Sequence, residues 1–491
     1  MKEVIIDPIT RLEGHGKISI FLNDAGEVEN AYLQIPELRG FEKFCIGRKA
    51  EDMPILTSRI CGVCPVAHHM ASAKALDAAF NVEPPEPAKK LRELMYCGYY
   101  IYDHTLHFYY LGGPDFIVGP DAPPEKRNIL GVIEKAGIQI AKEVIKHRAY
   151  GQKITEILGG KATHPVSACI PGGFARPISK EEQREIEEMV KSCLKFAEFS
   201  LKIFDEIVLK NTSYIELMKS QSYTLKTYYM GLVDKDNKVN FYDGKVRVVD
   251  PYGNEFVKFS PEEYLGVIEE HVEPWTYVKF PYLKKIGWRG LIDGPDSGIY
   301  RVGPLGRLNA ADGMATPLAQ EEYKRMYETL GGKPVHNTLA YHWARLIELL
   351  YAAERALELV TDPEITSTNL RNKPGEPGEG VGIVEAARGT LIHHYQLDEN
   401  ALARKVNLIV ATVNNAPSIC MSIRNAAKGL IRKGNVTDGI LNMIEMAFRA
   451  YDPCFACATH YAIGQMPLEV EIYNSEKQLI KVIRRDIDGR N

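Results

Sequence analysis

The sequence predicts an α+β fold, with a core of long packed helices and small β-sheets at the periphery. Residues 85–112, the stretch behind Ser179 and residues 335–361 have the apolar content and spacing of long buried helices. Residues 3–35 and 231–258 instead alternate apolar and polar side chains around turns rich in Gly, Asn and Asp, which is typical of strands. A chain of 491 residues can form one elaborate domain or two.

Charge and hydropathy exclude several classes of partner. The chain has 60 basic and 64 acidic residues, a net charge of −4, so nothing favours binding to nucleic acid or to an anionic membrane. No apolar run approaches the roughly 18–20 residues of a membrane-spanning helix, and acids interrupt the N-terminal stretch where a signal peptide would need apolar residues. We therefore expect a cytoplasmic protein whose nine cysteines are thiols or metal ligands.

The N-terminal β segment carries two acidic candidates. Residues 17–21 alternate, residues 23–26 form a turn, and residues 28–35 return as a second strand. Glu13 lies just before this hairpin, and Glu42 lies shortly after it in the sequence Arg39-Gly40-Phe41-Glu42. Such carboxylates are ordinarily exposed to solvent, although the oxygens of Glu42 also suit a hard cation.

The helical segments supply further candidates. Residues 85–112 follow two prolines and contain Asp103 and His107, of which His107 is expected to hydrogen-bond within the core. His164 lies in a loop rich in Gly and Pro and is interpreted as structural. Ser179 and Glu182 form a capping box that starts an amphipathic helix, whose apolar stripe is expected to pack in the core.

Two later segments are interpreted as loops. Residues 380–390 are rich in glycine and contain Arg388, but they match neither the P-loop nor the dinucleotide-binding pattern. Residues 410–415 contain Thr412. Residues 372–378 form a third loop, which is not a convincing linker, so the residues alone give no firm domain boundary.

Two cysteine pairs at opposite ends of the chain are the main functional signal. Cys61 and Cys64 are followed by His68, and Cys454 and Cys457 are followed by His460. Each spacing lets two thiolates converge on one soft metal. If the pairs meet in space they form a four-thiolate site, which the spacing alone leaves open as structural zinc or as a catalytic or redox centre.

The residues around the cysteines narrow this choice. The pattern Arg59-x-Cys61-Gly62-x-Cys64-x-x-x-His68 near the start, with Asp452-Pro453-Cys454-x-x-Cys457-x-x-His460 near the end, resembles the paired signature of the nickel–iron hydrogenase large subunit. The resemblance spans residues 5 to about 460. It implies reversible heterolytic cleavage of dihydrogen to two protons and two electrons. Thiolates suit the nickel and low-spin iron that the resemblance implies for this reaction.

The resemblance also assigns the metal ligands. Cys61 and Cys454 would bind nickel terminally, while Cys64 and Cys457 would bridge nickel to an iron that carries carbon monoxide and cyanide. A magnesium or similar hard ion would be held by Glu42 and His460.

Further residues receive roles from the same motifs. Glu13 would relay protons to and from Cys454, and His68 would hydrogen-bond the Cys64 sulfur. A canopy over the metals would consist of Asp103, Arg388 and Asp452, and Thr412 would offer its hydroxyl to a ligand on iron. Two departures from the family stand beside these residues, since Ala387 and Ala411 occupy positions where most members have proline.

Electron transfer requires a partner. The remaining cysteines, at 45, 97, 169, 193 and 420, are scattered and most simply structural. The resemblance therefore implies an iron–sulfur small subunit, with a further electron-acceptor subunit beyond it. The motifs are most similar to the cytoplasmic hydrogenases linked to a deazaflavin, a nicotinamide cofactor or a heterodisulfide reductase.

The last 31 residues follow His460 and alternate as a β-hairpin. His460 must reach an interior ion only three residues after a buried ligand, so a continuing chain would have to leave through the core. The family removes such a tail with a maturation protease once the metal-insertion proteins have acted. We expect a catalytic domain of residues 1–460 and cleavage of residues 461–491, the alternative being a retained hairpin.

Three other functions compete with the hydrogenase interpretation. A zinc-stabilised scaffold could use the same four cysteines, and metal analysis would distinguish it. Quinone-reductase subunits derived from hydrogenases lose the nickel cysteines, all of which are present here. A hydrogen-sensing regulator with the same site is not excluded by the sequence.

Overall fold

Long helices form the core of the protein, as the sequence predicts. The computed structural model describes residues 2–459, 468–473 and 478–485. Within this part of the chain α4 packs against α7 and α13, and α13 also packs against α8. The helices α1 to α15 are, in order, Phe41–Cys45, Met53–Ser58, Pro65–Ala79, Glu86–Leu106, Pro114–Ile117, Ile129–Ala136, Ile138–Gly159, Lys180–Phe204, Thr212–Lys219, Tyr264–Val267, Gly303–Ala310, Pro317–Leu330, Tyr341–Thr361, Ala411–Leu430 and Asp438–Arg449.

The predicted helices are present with small shifts at their ends. The segment predicted over residues 85–112 is α4 followed by a π-helical turn, His107–Gly112. The segment predicted over residues 335–361 begins as a helix only at Tyr341. The predicted capping box is formed, because the Glu182 N–H donates to Ser179 Oγ and the Ser179 N–H donates to the Glu182 carboxylate.

The strands form small separate sheets, as expected of the α+β class. The N-terminal segment is the antiparallel sheet β1-β2-β3, and residues 228–259 belong to a sheet in the order β11-β6-β7-β8. The other sheets are β4-β5, β10-β9, β12-β13-β14 and β15-β16. The strands β1 to β16 are, in order, Lys2–Ile6, Lys17–Leu22, Val28–Gln34, Cys169–Ile170, Gly173–Phe174, Tyr228–Val233, Lys245–Val249, Glu255–Phe259, Ile268–His271, Phe280–Leu283, Tyr300–Arg301, Glu379–Ala386, Gly389–Leu397, Ala403–Ile409, Leu468–Tyr473 and Leu479–Arg485.

Two segments interpreted as loops are regular structure. Residues 380–390 form the hairpin β12-β13, with Ala387 and Arg388 as its turn. The glycines of β12 are required by packing, since a Cβ on Gly380 or Gly382 would lie 2.2 Å from backbone atoms of α3. Residues 410–415 include the start of α14, so Thr412 lies in the first turn of a helix.

The C-terminal hairpin predicted after residue 467 is present as β15 and β16, paired antiparallel. His460, the proposed cleavage point after it and the predicted turn at 474–477 lie outside the described residues. In the part of the chain that the structure describes, every helix is too short or too polar to cross a membrane.

Candidate metal centre

The first cysteine pair lies in the loop between α2 and α3. The backbone N–H groups of Val63 and Cys64 donate to the sulfur of Cys61, each at 3.2 Å. Pro65 then begins α3, where a proline needs no hydrogen bond to its nitrogen. The loop therefore directs both sulfurs to the same side.

The second pair lies in the loop that follows α15, and it docks onto the N-terminal segment. The Phe455 N–H donates to the Glu13 carbonyl oxygen at 3.0 Å, and the Glu13 N–H donates to the Pro453 carbonyl oxygen at 3.4 Å. Gly14 permits this approach, because a Cβ at that position would lie 2.6 Å from the backbone nitrogen of Ala456. The two ends of the chain are thus joined directly at the site.

The two pairs meet as the sequence predicts. The sulfurs of Cys61, Cys64, Cys454 and Cys457 all lie within 4.8 Å of one another, and all four residues are buried. The Cys61 and Cys454 sulfurs are 3.4 Å apart. Burial raises the pKa of Cys454 and Cys457 well above the ordinary value. Burial opposes ionisation of Cys61 as well, yet its pKa is lowered, because neighbouring thiols donate hydrogen bonds to its sulfur.

These properties fit a soft metal ion or a pair of them. Four buried thiolates at such distances repel one another, so a cation must compensate them before all four can be deprotonated. Sulfur donors select nickel, iron, copper or zinc over magnesium or calcium. The donor set is therefore suited to the metals that the sequence motif implies.

Glu13, for which the sequence motif implies a proton relay, lies beside the cysteines. The Cys454 thiol donates to the Glu13 carboxylate at 2.9 Å. Burial raises the pKa of Glu13, and the charge of the Cys61 thiolate adds to this shift. A proton on Cys454 can thus pass to Glu13 without an intervening group.

A buried ion-pair group, which we call the canopy, brings together Asp103, Arg388 and Asp452. The Arg388 guanidinium lies 3.1 Å from Asp103 Oδ2 and 3.0 Å from Asp452 Oδ2, and all three side chains are at most 3% exposed. Burial disfavours the charge of Arg388, but the two carboxylates raise its pKa well above the ordinary value. Arg388 therefore remains a cation at physiological pH.

Asp452 reaches the canopy through an unusual backbone conformation. Its φ is 58°, in the left-handed region that few residues other than glycine adopt. Two carbonyl groups shortly before it are held at the end of α15, where His107 donates to the Arg449 oxygen at 2.8 Å and Arg345 donates to the Ala450 oxygen at 3.0 Å. His107 thus has the core role that the sequence predicts for it.

The other predicted site residues differ in how closely they match their expected roles. Thr412 accepts a hydrogen bond from the Cys454 N–H at 3.0 Å, which leaves its hydroxyl proton available to another group. His68 is fully buried, but its Nδ1 pairs with His393 at 3.1 Å, and its Nε2 has no partner among the described residues. Glu42 is buried and accepts a hydrogen bond from the Leu408 N–H at 2.7 Å.

Arg39, to which the sequence assigns no role, connects the two cysteine loops. Its guanidinium donates to the Ile60 oxygen at 2.6 Å and to the Ala456 oxygen at 3.3 Å, and its N–H donates to the Thr459 oxygen at 2.9 Å. No local pattern identifies such a residue, because the second loop that it contacts lies more than 400 positions away in the sequence.

Family models match most of the segments described above. The model described as nickel-dependent hydrogenase matches residues 39–122 and 294–460, and a HoxL-like model matches residues 3–38. These ranges include all four cysteines and every residue of the canopy.

Individual relatives match over nearly the whole chain. An F420-non-reducing hydrogenase iron-sulfur subunit of Archaeoglobus profundus is 49% identical over 99% of this chain and 100% of its own length. An F420-non-reducing hydrogenase vhu subunit of Methanocaldococcus jannaschii is 48% identical over 88% of this chain and 100% of its own. The NAD-reducing hydrogenase HoxS subunit beta of Cupriavidus necator is 38% identical over 98% of this chain and 99% of its own length.

Comparison with solved structures also identifies a hydrogenase fold. The crystal structure of an NAD⁺-reducing [NiFe]-hydrogenase in the H₂-reduced state matches with a TM-score of 0.88 and 38% identity, covering 94% of this chain and 100% of that one. Matches of this extent support the hydrogenase interpretation rather than the zinc-stabilised scaffold. The two cysteine pairs and the surrounding chain thus belong to a large subunit of the nickel-dependent hydrogenase family.

Proposed function

We propose that this hydrogenase large subunit cleaves dihydrogen reversibly at the four-cysteine site, with Cys454 and Glu13 as the first two proton carriers. The observation that carries the proposal is the Glu13 carboxylate 2.9 Å from the sulfur of one of four buried, converging cysteines. A base beside a metal-binding thiolate is what heterolytic cleavage of dihydrogen requires.

The proposed ligand assignment follows the chain motifs. Cys61 and Cys454 would hold nickel, and Cys64 and Cys457 would hold nickel together with an iron that carries carbon monoxide and cyanide. When bound, the metal pair supplies the polarisation of dihydrogen and the storage of its electrons. The cysteines supply the negative charge that the two cations require, in a site from which water is excluded.

The proton leaves through side chains of this subunit. Cys454 takes the proton on its sulfur and donates it to Glu13, which already accepts a hydrogen bond from that thiol. Arg388 is unsuited to the role of base, because Asp103 and Asp452 stabilise its charged form. We assign Arg388 instead to orienting and polarising whatever binds at the open face of the metals.

Two further ligand positions complete the proposal. Thr412 would donate its hydroxyl to a ligand on iron, since its oxygen already accepts the hydrogen bond from the Cys454 N–H. Glu42 holds a magnesium or similar hard ion together with His460. Support for this ion comes from the burial of the Glu42 carboxylate, which is 6% exposed, and from the preference of hard cations for oxygen.

Electrons pass to an iron–sulfur small subunit. Among the described residues the remaining five cysteines are buried at separate places, so they offer no cluster site. Another protein of the complex then receives the electrons. Several relatives that are 40–49% identical are named F420-non-reducing, and F420 is a deazaflavin, so we favour a nicotinamide cofactor or a heterodisulfide reductase as the acceptor.

The catalytic domain is residues 1–460, and a maturation protease removes residues 461–491 after metal insertion. Support comes from the burial of the chain just before the proposed cut, where Cys457, Ala458 and Thr459 are at most 2% exposed. A chain that continues from this position must leave from the interior. Cleavage after His460 would let the new C-terminus remain there.

Infrared spectroscopy with metal analysis of the purified complex tests the proposed function. We expect carbon monoxide and cyanide stretching bands, with about one nickel and one iron per large subunit. Zinc in place of nickel and iron, or a spectrum without these bands, would refute the proposed metal centre.

A further inference from the structure

The first turn of α14 contacts both the second cysteine loop and the canopy. Thr412 accepts a hydrogen bond from the Cys454 N–H at 3.0 Å, which fixes this turn to the cysteine loop. Three residues later, the Asn415 side chain donates to the Arg388 carbonyl oxygen at 3.3 Å. Because a helix is a rigid element, this turn places the backbone of Cys454 relative to the backbone of Arg388.

The Asn415 amide has a fixed orientation, because its partners are backbone groups. The Val302 N–H can only donate, and it donates to Asn415 Oδ1 at 2.9 Å. The carbonyl oxygens of Val302 and Arg388 can only accept, and each lies 3.3 Å from Asn415 Nδ2. The oxygen and both protons of the amide are therefore used, in a side chain that is 1% exposed.

Two glycines bring the segments that Asn415 bonds into direct contact. Gly303 follows Val302, and a Cβ at Gly303 would lie 3.0 Å from the Arg388 carbonyl oxygen. Gly389 follows Arg388, and a Cβ at Gly389 would lie 2.1 Å from a methyl carbon of Val302. Asn415 therefore spans a junction at which the backbone of Arg388 has little room to move.

The neighbouring residue, Asn414, fastens the same turn of α14 to β13 and β11. Asn414 Nδ2 donates to the Thr390 carbonyl oxygen at 2.8 Å, and the Tyr300 hydroxyl donates to Asn414 Oδ1 at 2.5 Å. Thr390 lies two residues after Arg388 in the chain. Asn414 thus holds the strand that leaves the turn, and Asn415 adds the contact at Arg388 itself.

The position of Arg388 matters because its guanidinium is a buried charge that pairs with Asp103 and Asp452. Away from water, the interaction of a charge with its surroundings is strong and depends on distance. A displacement of about 1 Å in a group that orients a reactant can lower a rate about 100-fold. A residue that anchors the Arg388 backbone can therefore affect the reaction without contacting the reactant.

We propose that Asn415 is a positioning residue of the metal centre, which fixes the backbone of Arg388 against the helix turn that holds Cys454. The inference rests on the proposed function, in which the Arg388 guanidinium orients and polarises what binds at the open face of the metals. Asn415 acts through Arg388, so its effect depends on the guanidinium being present.

Two substitutions at Asn415 test the inference in the assembled hydrogenase complex. Asn415→Asp keeps the size of the side chain and the oxygen that accepts from Val302, but it sets a second oxygen against the Arg388 carbonyl. Asn415→Ala removes the amide without adding a charge. Asn309 provides the matched controls, because it is equally buried and its amide also bonds both backbone groups of one residue, Val335, at 2.8 and 3.1 Å.

The readouts are the kinetics per nickel atom and the infrared bands of the iron ligands. Both Asn415 variants should lower kcat for hydrogen oxidation by about 10–100-fold with little change in KM, because the contact that is lost acts in the transition state. They should also shift the carbon monoxide and cyanide bands, since the charge of Arg388 is displaced. Asn309→Asp and Asn309→Ala should leave kcat per nickel atom and the bands unchanged.

A double variant shows whether Asn415 acts through Arg388. Arg388→Lys already loses the planar guanidinium, so adding Asn415→Ala should lower kcat by much less than it does in the unsubstituted enzyme. If the two losses multiply instead, Asn415 acts independently of Arg388 and the inference is wrong.

Three further outcomes decide the matter. Full kcat per nickel atom in both Asn415 variants would overturn the inference, and so would an equal loss in the Asn309 variants, since the cause would then be general destabilisation. Loss of nickel from both Asn415 variants, with full nickel in both Asn309 variants, would assign Asn415 to assembly and overturn it as well. An unsubstituted complex that lacks hydrogen oxidation and the iron-ligand bands would instead refute the proposed function.

Discussion

A substitution at Ala387 tests the hydrogen bond that fixes the turn carrying Arg388. The Ala387 N–H donates to the Tyr99 hydroxyl at 3.0 Å, and Tyr99 is fully buried. In this chain Ala387→Pro would remove the N–H and place the ring carbon against the tyrosine oxygen, so we expect the substitution to destabilise the protein.

The magnitude follows from the lost hydrogen bond. Leaving a buried hydroxyl without its partner costs about 1–3 kcal/mol. Unfolding entropy is about 2.1 cal/mol/K per residue, which for 491 residues gives about 1 kcal/mol per kelvin at the midpoint. We therefore expect Ala387→Pro to lower the Tm by at least about 1–3 °C, with the steric conflict adding to this.

Ala411 provides a matched control for the same substitution. It is the first residue of α14, where proline is favoured and no hydrogen bond to the nitrogen is needed. Differential scanning calorimetry of the complex should show an unchanged or slightly raised Tm for Ala411→Pro. In a Tyr99→Phe background Ala387→Pro should cost less, because the lost partner and the clashing oxygen are already gone. Equal midpoints for Ala387→Pro and Ala411→Pro would refute the reasoning.

Four other predictions concern the metal site and the tail. Cys454→Ala should lose nickel or leave an inactive centre, and full hydrogen oxidation by this variant would contradict the ligand assignment. Glu13→Gln should lower turnover by about 10²–10⁴-fold, as is usual for acid–base groups, while the infrared bands persist; near-normal turnover would place the proton exit elsewhere. Arg388→Lys keeps the charge but loses the planar fork, so we expect an assembled centre with strongly reduced activity, and wild-type rates would disprove the canopy role. The intact mass of the large subunit from active enzyme should lack residues 461–491, and a mass that includes them would reject the cleavage proposal.

Much of the fold could be predicted because its signals are local. The capping box at Ser179 and Glu182 marks the start of α8 within three residues, and the alternation of residues 17–35 specifies the N-terminal hairpin. The β12-β13 hairpin was missed because Gly380 and Gly382 weaken a strand pattern. These two glycines allow α3 to approach β12 closely, and this need becomes apparent only once the position of the helix is known.

The sequence predicts residues of the site only where they belong to a recognisable motif. The cysteine pairs, Glu13 and Arg388 belong to short recognisable segments, and the structure brings them together. Arg39 does not, because its role depends on the carbonyl group of Ala456, 417 positions away. Neither residue type nor spacing distinguishes it from an ordinary surface arginine.

The joining of the two chain ends at the metal site has a consequence for biosynthesis. Cys61 and Cys454 are 393 positions apart, so at about 5–20 residues per second roughly 20–80 s pass between their synthesis. During that interval Cys61 and Cys64 are present on the growing chain before Cys454 and Cys457 have been synthesised. An oxidant that couples Cys61 to Cys64 in this time would destroy two of the four ligands before the remaining two exist.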